Sequence, residues 1–470
     1  MISLTHKPDR VDYKWKAMFT VSTGTFMSTL DSSIVNVSLP SIMTSLHAKF
    51  VVVQWVVVAY LLVVTGLLLT FGRLGDLLGR KPVYILGFAI FTSGSLFCGL
   101  SRNIYLLIAS RGFQAIGAAM IMANGAAIIT EAFPDNERGR ALGINGAVVA
   151  TGLTVGPALG GFLVGTAGWP MIFFVNLPIG LFGIALAQKI LGREKRHPTR
   201  QFDILGSMLL IMSLAALTTG LSRGPEVGWQ SPLIKALMGA WLLFGVFFIV
   251  RERRTDNPVL DFELFRNRLF AAACASAFLN FASTFSVTFL MPFYLAGVLG
   301  YSPQRMGATL TTVPLTVALI APFSGAVSDR IGSRVLGSLG LATSCLGLVL
   351  IGYLGESPDA FRVICSLAVV GLGTGIFQSP NNSAIMGCVP PNMLGVAAGM
   401  QATIRNLGMV SGVAVSAAVY SSRLASYRTS LPMVEASSVA FRDAMLVAAA
   451  ICAIGVIASS MRGPSASPRE

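Results

Sequence analysis

Apolar stretches of roughly 20 residues recur along the whole chain, separated by short polar or basic connections. Stretches of that length cross about 30 Å of hydrocarbon as helices, and their apolar residues run consecutively rather than alternating as barrel strands would require. Spans are predicted to begin near Lys16, Val51, Val83, Tyr105, Ala141, Met171, Ile204, Leu233, Leu269, Met306, Val335, Phe361, Val396 and Arg442, fourteen in all. The fold class is an all-α polytopic membrane protein.

The pattern also repeats. Gly72, Asp76 and Gly79, in the connection after the second span, recur 253 residues on as Gly325, Asp329 and Gly332. Gly139, Gly143, Gly152 and Gly156 recur 256 residues on as Gly395, Gly399, Gly408 and Gly412. Two patterns at nearly one offset predict a parallel duplication into two six-helix bundles with two helices inserted between them. The expected organisation is a segment 1–15, a bundle 16–191, a linker 192–257 with the two extra helices, a bundle 258–461 and a tail 462–470. Parallel halves around a mid-depth site are the architecture of alternating-access carriers.

Composition agrees, with 54% hydrophobic and 11% charged residues. The net charge of +14 would suggest nucleic acid in a soluble domain, but here it follows topology. With the N-terminus inside, 23 of the 34 Lys and Arg fall on the side of the termini, which places both termini in the cytoplasm of a cell-membrane protein. The first span is too long for a signal h-region and is expected to be retained. Six scattered cysteines and His6, His47 and His197 in connections give no metal-ligand spacing. No Walker loop, G-x-S-x-G or H-E-x-x-H is present, so neither an enzyme nor a cofactor is predicted.

Charges inside the spans stand out against this background. Asp31, flanked on helical spacing by Thr25, Ser28, Ser32 and Asn36, is costly unless it faces water or a partner, and its polar strip is expected to face a central cavity. Burial favours the neutral acid and a nearby cation the charged one, so such a carboxylate can load and release a proton; the bland alternative is a structural carboxylate. Arg111 needs an acceptor, Asp31, Gln114 or a carbonyl, unless it snorkels to an interface. Its counterpart at the 256 offset is Leu367. Arg405 shares a face with Gln401, Gly408 and Gly412, where an anion contact is conceivable. Gln378, Asn381 and Asn382 surround Pro380 and are expected near the cavity, as is Asn124. Phe281, Phe285, Phe289 and Phe293 form a stripe suited either to lipid or to a hydrophobic substrate wall. Asp76, at a helix end beside Arg80 and Lys81, has Glu137 and Arg138 as candidate partners.

The patterns Gly72-x-Leu74-x-Asp76-x-x-Gly79-Arg80-Lys81, Leu30-Asp31-x-x-Ile34-Val35-Asn36-Val37-x-Leu39-Pro40, Arg111-x-x-Gln114-x-x-Gly117-Ala118-Ala119 and Gly152-x-x-x-Gly156-Pro157-x-x-Gly160-Gly161 resemble signatures of the major facilitator superfamily (MFS), specifically its fourteen-span drug:proton antiporters of the EmrB/QacA type. Ser33, Ser38 and Ala115 depart from the usual Thr, Ala and Gly. The resemblance implies proton coupling at Asp31 and Arg111. It implies a gating latch from Gly72, Asp76, Gly79, Arg80 and Lys81 with Glu137, Arg138, Asp329 and Arg330, and antiporter-type packing at Gly152, Gly156, Pro157, Gly160 and Gly161. A cavity lined by Asn36, Gln114, Asn124, Phe285, Phe289, Gln378, Asn381 and Arg405 would export amphipathic, often cationic molecules against protons. A periplasmic adaptor protein is a candidate partner, and a monomer the expected unit. Export or flipping of a metabolite or lipid, and facilitated uptake, are the alternative functions.

Overall fold

A computed structural model describes residues 10–134, 137–192, 204–255, 262–389 and 394–462. Its helices are α1 (Arg10–Ser45), α2 (Phe50–Val53), α3 (Trp55–Leu78), α4 (Arg80–Gly99), α5 (Ile104–Ala132), α6 (Arg138–Ala167), α7 (Met171–Phe174), α8 (Asn176–Ile190), α9 (Ile204–Val227) and α10 (Pro232–Glu252). A 3-10 turn at Phe262–Arg266 leads into α11 (Arg268–Gly297), α12 (Pro303–Leu310), α13 (Thr312–Ile331), α14 (Ser333–Gly352), α15 (Ala360–Gly387), α16 (Leu394–Tyr427) and α17 (Met433–Ser460).

Among the described residues, 13 helices are long and apolar enough to cross a membrane, against the fourteen expected. The one left out is α1. At 36 residues it spans about 54 Å, but Asp31, Asn36 and the serines and threonines between Thr20 and Ser38 lower its apolarity. It packs inside the protein, against α5, α6 and α8.

The repeat seen in sequence recurs in the packing. Helix α1 lies on α6 and α8, and α11 lies on α16 and α17; α5 touches α3 and α4, and α15 touches α13 and α14. Both connecting glycines adopt left-handed backbone, Gly79 at φ 94° and Gly332 at φ 86°, where a side chain would be strained. A serine bond between the corresponding helices recurs as well, displaced by one turn: Ser33 Oγ donates to Gly152 O at 3.2 Å and Ser286 Oγ to Gly412 O at 3.3 Å. The inserted α9 sits between α3 and α16, tied to α2–α3 by Gln54 with Ser222 and by Thr70 with Ser207 at 3.1 Å.

Contacts between the two sets of helices are tight at one end of the molecule, here called the Phe50 end. The Phe50 ring meets Phe293 at 4.9 Å, Tyr420 at 5.0 Å and Phe289 at 5.7 Å. Beside it, α6 crosses α12 so closely that a Cβ on Gly161 would lie 2.3 Å from Pro303 O and 2.9 Å from Gly307 Cα. Toward the opposite, Arg80 end of α6, Gly139, Gly143 and Gly146 face open space.

Candidate proton site and cavity

Helix α1 turns Asp31 away from the face carrying Thr25, Ser32 and Asn36 and into the helices of its own half. The carboxylate is fully buried and accepts three hydrogen bonds: Arg111 Nη1 to Oδ2 at 2.6 Å, Gln114 Nε2 to Oδ1 at 2.9 Å and Asn176 Nδ2 to Oδ1 at 2.8 Å. Arg111 and Gln114 are three residues apart on α5 and share a face, while Asn176 begins α8 where the helix breaks after α7. The expectation that Asp31 itself faces the cavity is therefore corrected; the polar strip on α1 divides, because position 31 projects to a different side from 25, 32 and 36.

Arg111 is also held through its Nη1, its Nε and the face of its guanidinium. Nη1 also reaches Gln114 Oε1 at 2.6 Å, Nε donates to Val56 O at 3.2 Å, and the guanidinium stacks 4.1 Å from the Tyr60 ring centroid. Gln114 Nε2 donates on to Ser95 Oγ at 2.8 Å. Two charges removed from water are stable only with such geometry and extra hydrogen bonds, and α1, α3, α4, α5 and α8 all contribute. Asn176, Tyr60 and Ser95 went unrecognised in the sequence; Asn176, a lone amide inside an apolar stretch, was the available signal. Position 367, the counterpart of Arg111, is a fully buried leucine.

Other predicted residues divide. Asn124 is fully buried in the seam between α5 and α3, donating to Phe71 O at 3.0 Å and Met120 O at 2.9 Å beside Gly75, so it does not line an open cavity; nor does Gln114. Asn36 is buried against its own helix, donating to Ser32 O at 3.0 Å. Phe289 is fully buried in the Phe50 aromatic cluster, while Phe285 and Gln378 are half-buried. Asn381 is turned from the expected cavity to Arg462, whose guanidinium it accepts, with Ser333 O at 3.4 Å. Arg462 is thus anchored under α14, α15 and α17 rather than lying free in a tail, and burial pushes its guanidinium down to about 10. Asn382 accepts from Gln401, and Arg405 is half-buried one turn beyond Gln401.

At the Arg80 end, Asp76 pairs with Arg80 (Nη2 at 3.0 Å), and Arg80 reaches Glu131 at 2.9 Å and Ala127 O at 2.9 Å. The anticipated partners of Asp76 are occupied elsewhere: Glu137 pairs with Lys14 at 2.5 Å and Arg138 Nε donates to Thr130 O at 2.7 Å. Lys81 donates to Gln188 O at 2.8 Å. Gly72 leaves only ordinary contact with Ala123 of α5. Arg330 is exposed, and the Asp329 side chain lies outside the described residues. The predicted glycine seam on α6 is real packing: Gly152 sits on Thr29 and Leu30, Gly156 on Ser33, and Gly160 on Ile34 of α1, with Gly161 and the Pro157 carbonyl against Gly307 of α12.

The family model of the Major Facilitator Superfamily matches residues 21–413. The chain belongs to this superfamily. As a member of the MFS it is a multi-pass membrane transporter. Among its relatives, the riboflavin transporter RibZ of Clostridioides difficile is 36% identical over 445 residues, covering 94% of this chain and 96% of the relative. The multidrug resistance protein Stp of Mycobacterium tuberculosis is 34% identical, covering 84% of this chain and 74% of Stp. A crystal structure of a bacterial homolog of the human lysosomal transporter Spinster, inward-facing and unoccupied, aligns with a TM-score of 0.68 at 15% identity over 96% of this chain and 97% of that one; at that identity the likeness is one of fold.

Proposed function

We propose that this MFS transporter is a proton-coupled exporter of amphipathic small molecules, of the fourteen-span drug:proton antiporter type, with α1 as the additional span. Two six-helix bundles, α1–α8 and α11–α17, rock about a site between them, and α9–α10 are the inserted pair. The Arg80 end and both termini are cytoplasmic, by the distribution of basic residues. The tight Phe50 end and the open glycine face of α6 make this a cytoplasm-open state of a plasma-membrane carrier. Asp76 then belongs to a latch that is disengaged here, its contact confined to Arg80 of its own bundle, and re-forms when the carrier opens outward. The working unit is a monomer, and a periplasmic adaptor is a candidate partner.

The observation that carries the reading is the sealed Asp31–Arg111 pair. Protonating Asp31 removes the charge that Arg111 is buried against, which costs about 3–5 kcal/mol when one partner of a buried pair is lost. The helices around Arg111 must then rearrange to give it another acceptor or water. One proton thereby acts on five helices, which is what coupling requires. Names of relatives support two classes of amphipathic substrate, drugs for Stp and riboflavin for RibZ. The deciding experiment uses proteoliposomes with an imposed pH gradient, wild type against Asp31→Asn, with ethidium and riboflavin as substrates. Gradient-driven transport by wild type and its loss in the variant are expected; equal transport by both overturns the proton site.

A further inference from the structure

We infer that Arg405 is the polar recognition residue of the substrate site, and that it binds a hydrogen-bond-accepting group, a carboxylate or a ring imide, on an amphipathic substrate. This rests on the reading of the space between the bundles as the substrate site and narrows it.

The residue is placed by its neighbours on α16. One turn before it, Gln401 is bonded to Asn382 of α15; three residues after it, Gly408 packs on Phe278 O and Phe281 of α11. Residues at i−4 and i+3 share its face, so Arg405 projects between α11 and α15, half-buried. Its Nε is buried without a hydrogen-bond partner, and among the described residues the side chain has no hydrogen bond, ion pair or ring contact. The two other buried arginines are each provided for, Arg111 by Asp31, Gln114 and Val56 O, and Arg462 by Asn381 and Ser333 O. The carboxylate Asp443 on α17 is already taken by Arg423 and Arg442.

A permanently charged, partly desolvated guanidinium with no acceptor is expensive. Nothing in the folding of α16 requires it, since the equivalent position one repeat earlier, 256 residues back, is Val149. An acceptor brought by the substrate removes that cost: the planar fork fits a carboxylate bidentately, and a single carbonyl oxygen of a ring imide can accept from one of its arms. Phe281 and Phe285, both half-buried on α11, supply the apolar side.

The test is equilibrium binding to the full-length purified protein, at one pH and without a gradient, with three fluorescent probes: fluorescein as anion, riboflavin as ring imide and ethidium as lipophilic cation. Arg405→Gln is expected to weaken fluorescein and riboflavin by about tenfold or more while ethidium changes by less than about twofold, as for loss of a charge-assisted hydrogen bond. Arg405→Lys, which keeps charge and stem, recovers fluorescein in part. The thermal unfolding temperature of Arg405→Gln should hold or rise, whereas a structural role would lower it. Wild type binding neither acceptor probe, unchanged binding by Arg405→Gln, or equal weakening of all three probes would overturn the inference. Because no gradient enters the assay, wild type that binds but shows no gradient-driven transport would sink antiport and leave Arg405's role standing.

Discussion

At Asp31 the chain concentrates its most expensive chemistry, and the surrounding residues decide what the carboxylate can do. Arg111→Leu leaves Asp31 buried without its cation and should destabilise the folded protein by about 3–5 kcal/mol. The double variant Asp31→Asn, Arg111→Leu should recover much of that, read by thermal unfolding in detergent. A double variant no more stable than the single one would show that the pair is not the relevant unit. Asn176→Leu removes one donor to a charged acceptor, worth about 1.5–3 kcal/mol. Gradient-driven transport should fall with it, measured in proteoliposomes, and transport equal to wild type would separate Asn176 from the proton site.

Among the helices, two kinds of glycine can be told apart by substitution. Gly79→Ala and Gly332→Ala force a Cβ into left-handed backbone and should each cost about 1–2 kcal/mol, measurable as lower unfolding temperatures. Gly161→Leu pushes instead on Pro303 and Gly307 across the seam, so it should open the Phe50 end; cysteine labelling at positions 50 and 293 should become faster, and unchanged labelling would remove the seam from the gate. Spans, repeat and glycine seams were legible in the sequence because lipid demands apolar length and close helix approach demands small residues. The helix breaks at Gln54, Val175 and Thr311 were not, since no proline or glycine occupies them. Nor was the direction of Asp31: it read as part of one strip with Thr25, Ser28, Ser32 and Asn36, and only its bonds to neighbouring α5 and α8 show that it turns inward. The same ambiguity placed Asn381 in the cavity, when a basic residue counted as tail reaches back to bind it.

Taken whole, the molecule is two sets of helices that meet tightly at Phe50, while Gly139, Gly143 and Gly146 at the far end of α6 face open space. In the latch reading, Asp76→Asn should leave this state populated and weaken the outward-open one, so labelling near Arg80 should become more frequent, not less. One consequence concerns membrane voltage. Asp31 and Arg111 cancel each other, so a voltage of 100 mV, which does about 2.3 kcal/mol of work per elementary charge crossing, has no purchase on the pair as it stands. It acts on the incoming proton and on the cargo. A lipophilic cation leaving as one proton enters would make the cycle electrically silent, whereas a monoanion seated on Arg405 and expelled against one proton would carry two charges inward. Recording current alongside flux would therefore report the chemical class of the cargo from its sign and size alone.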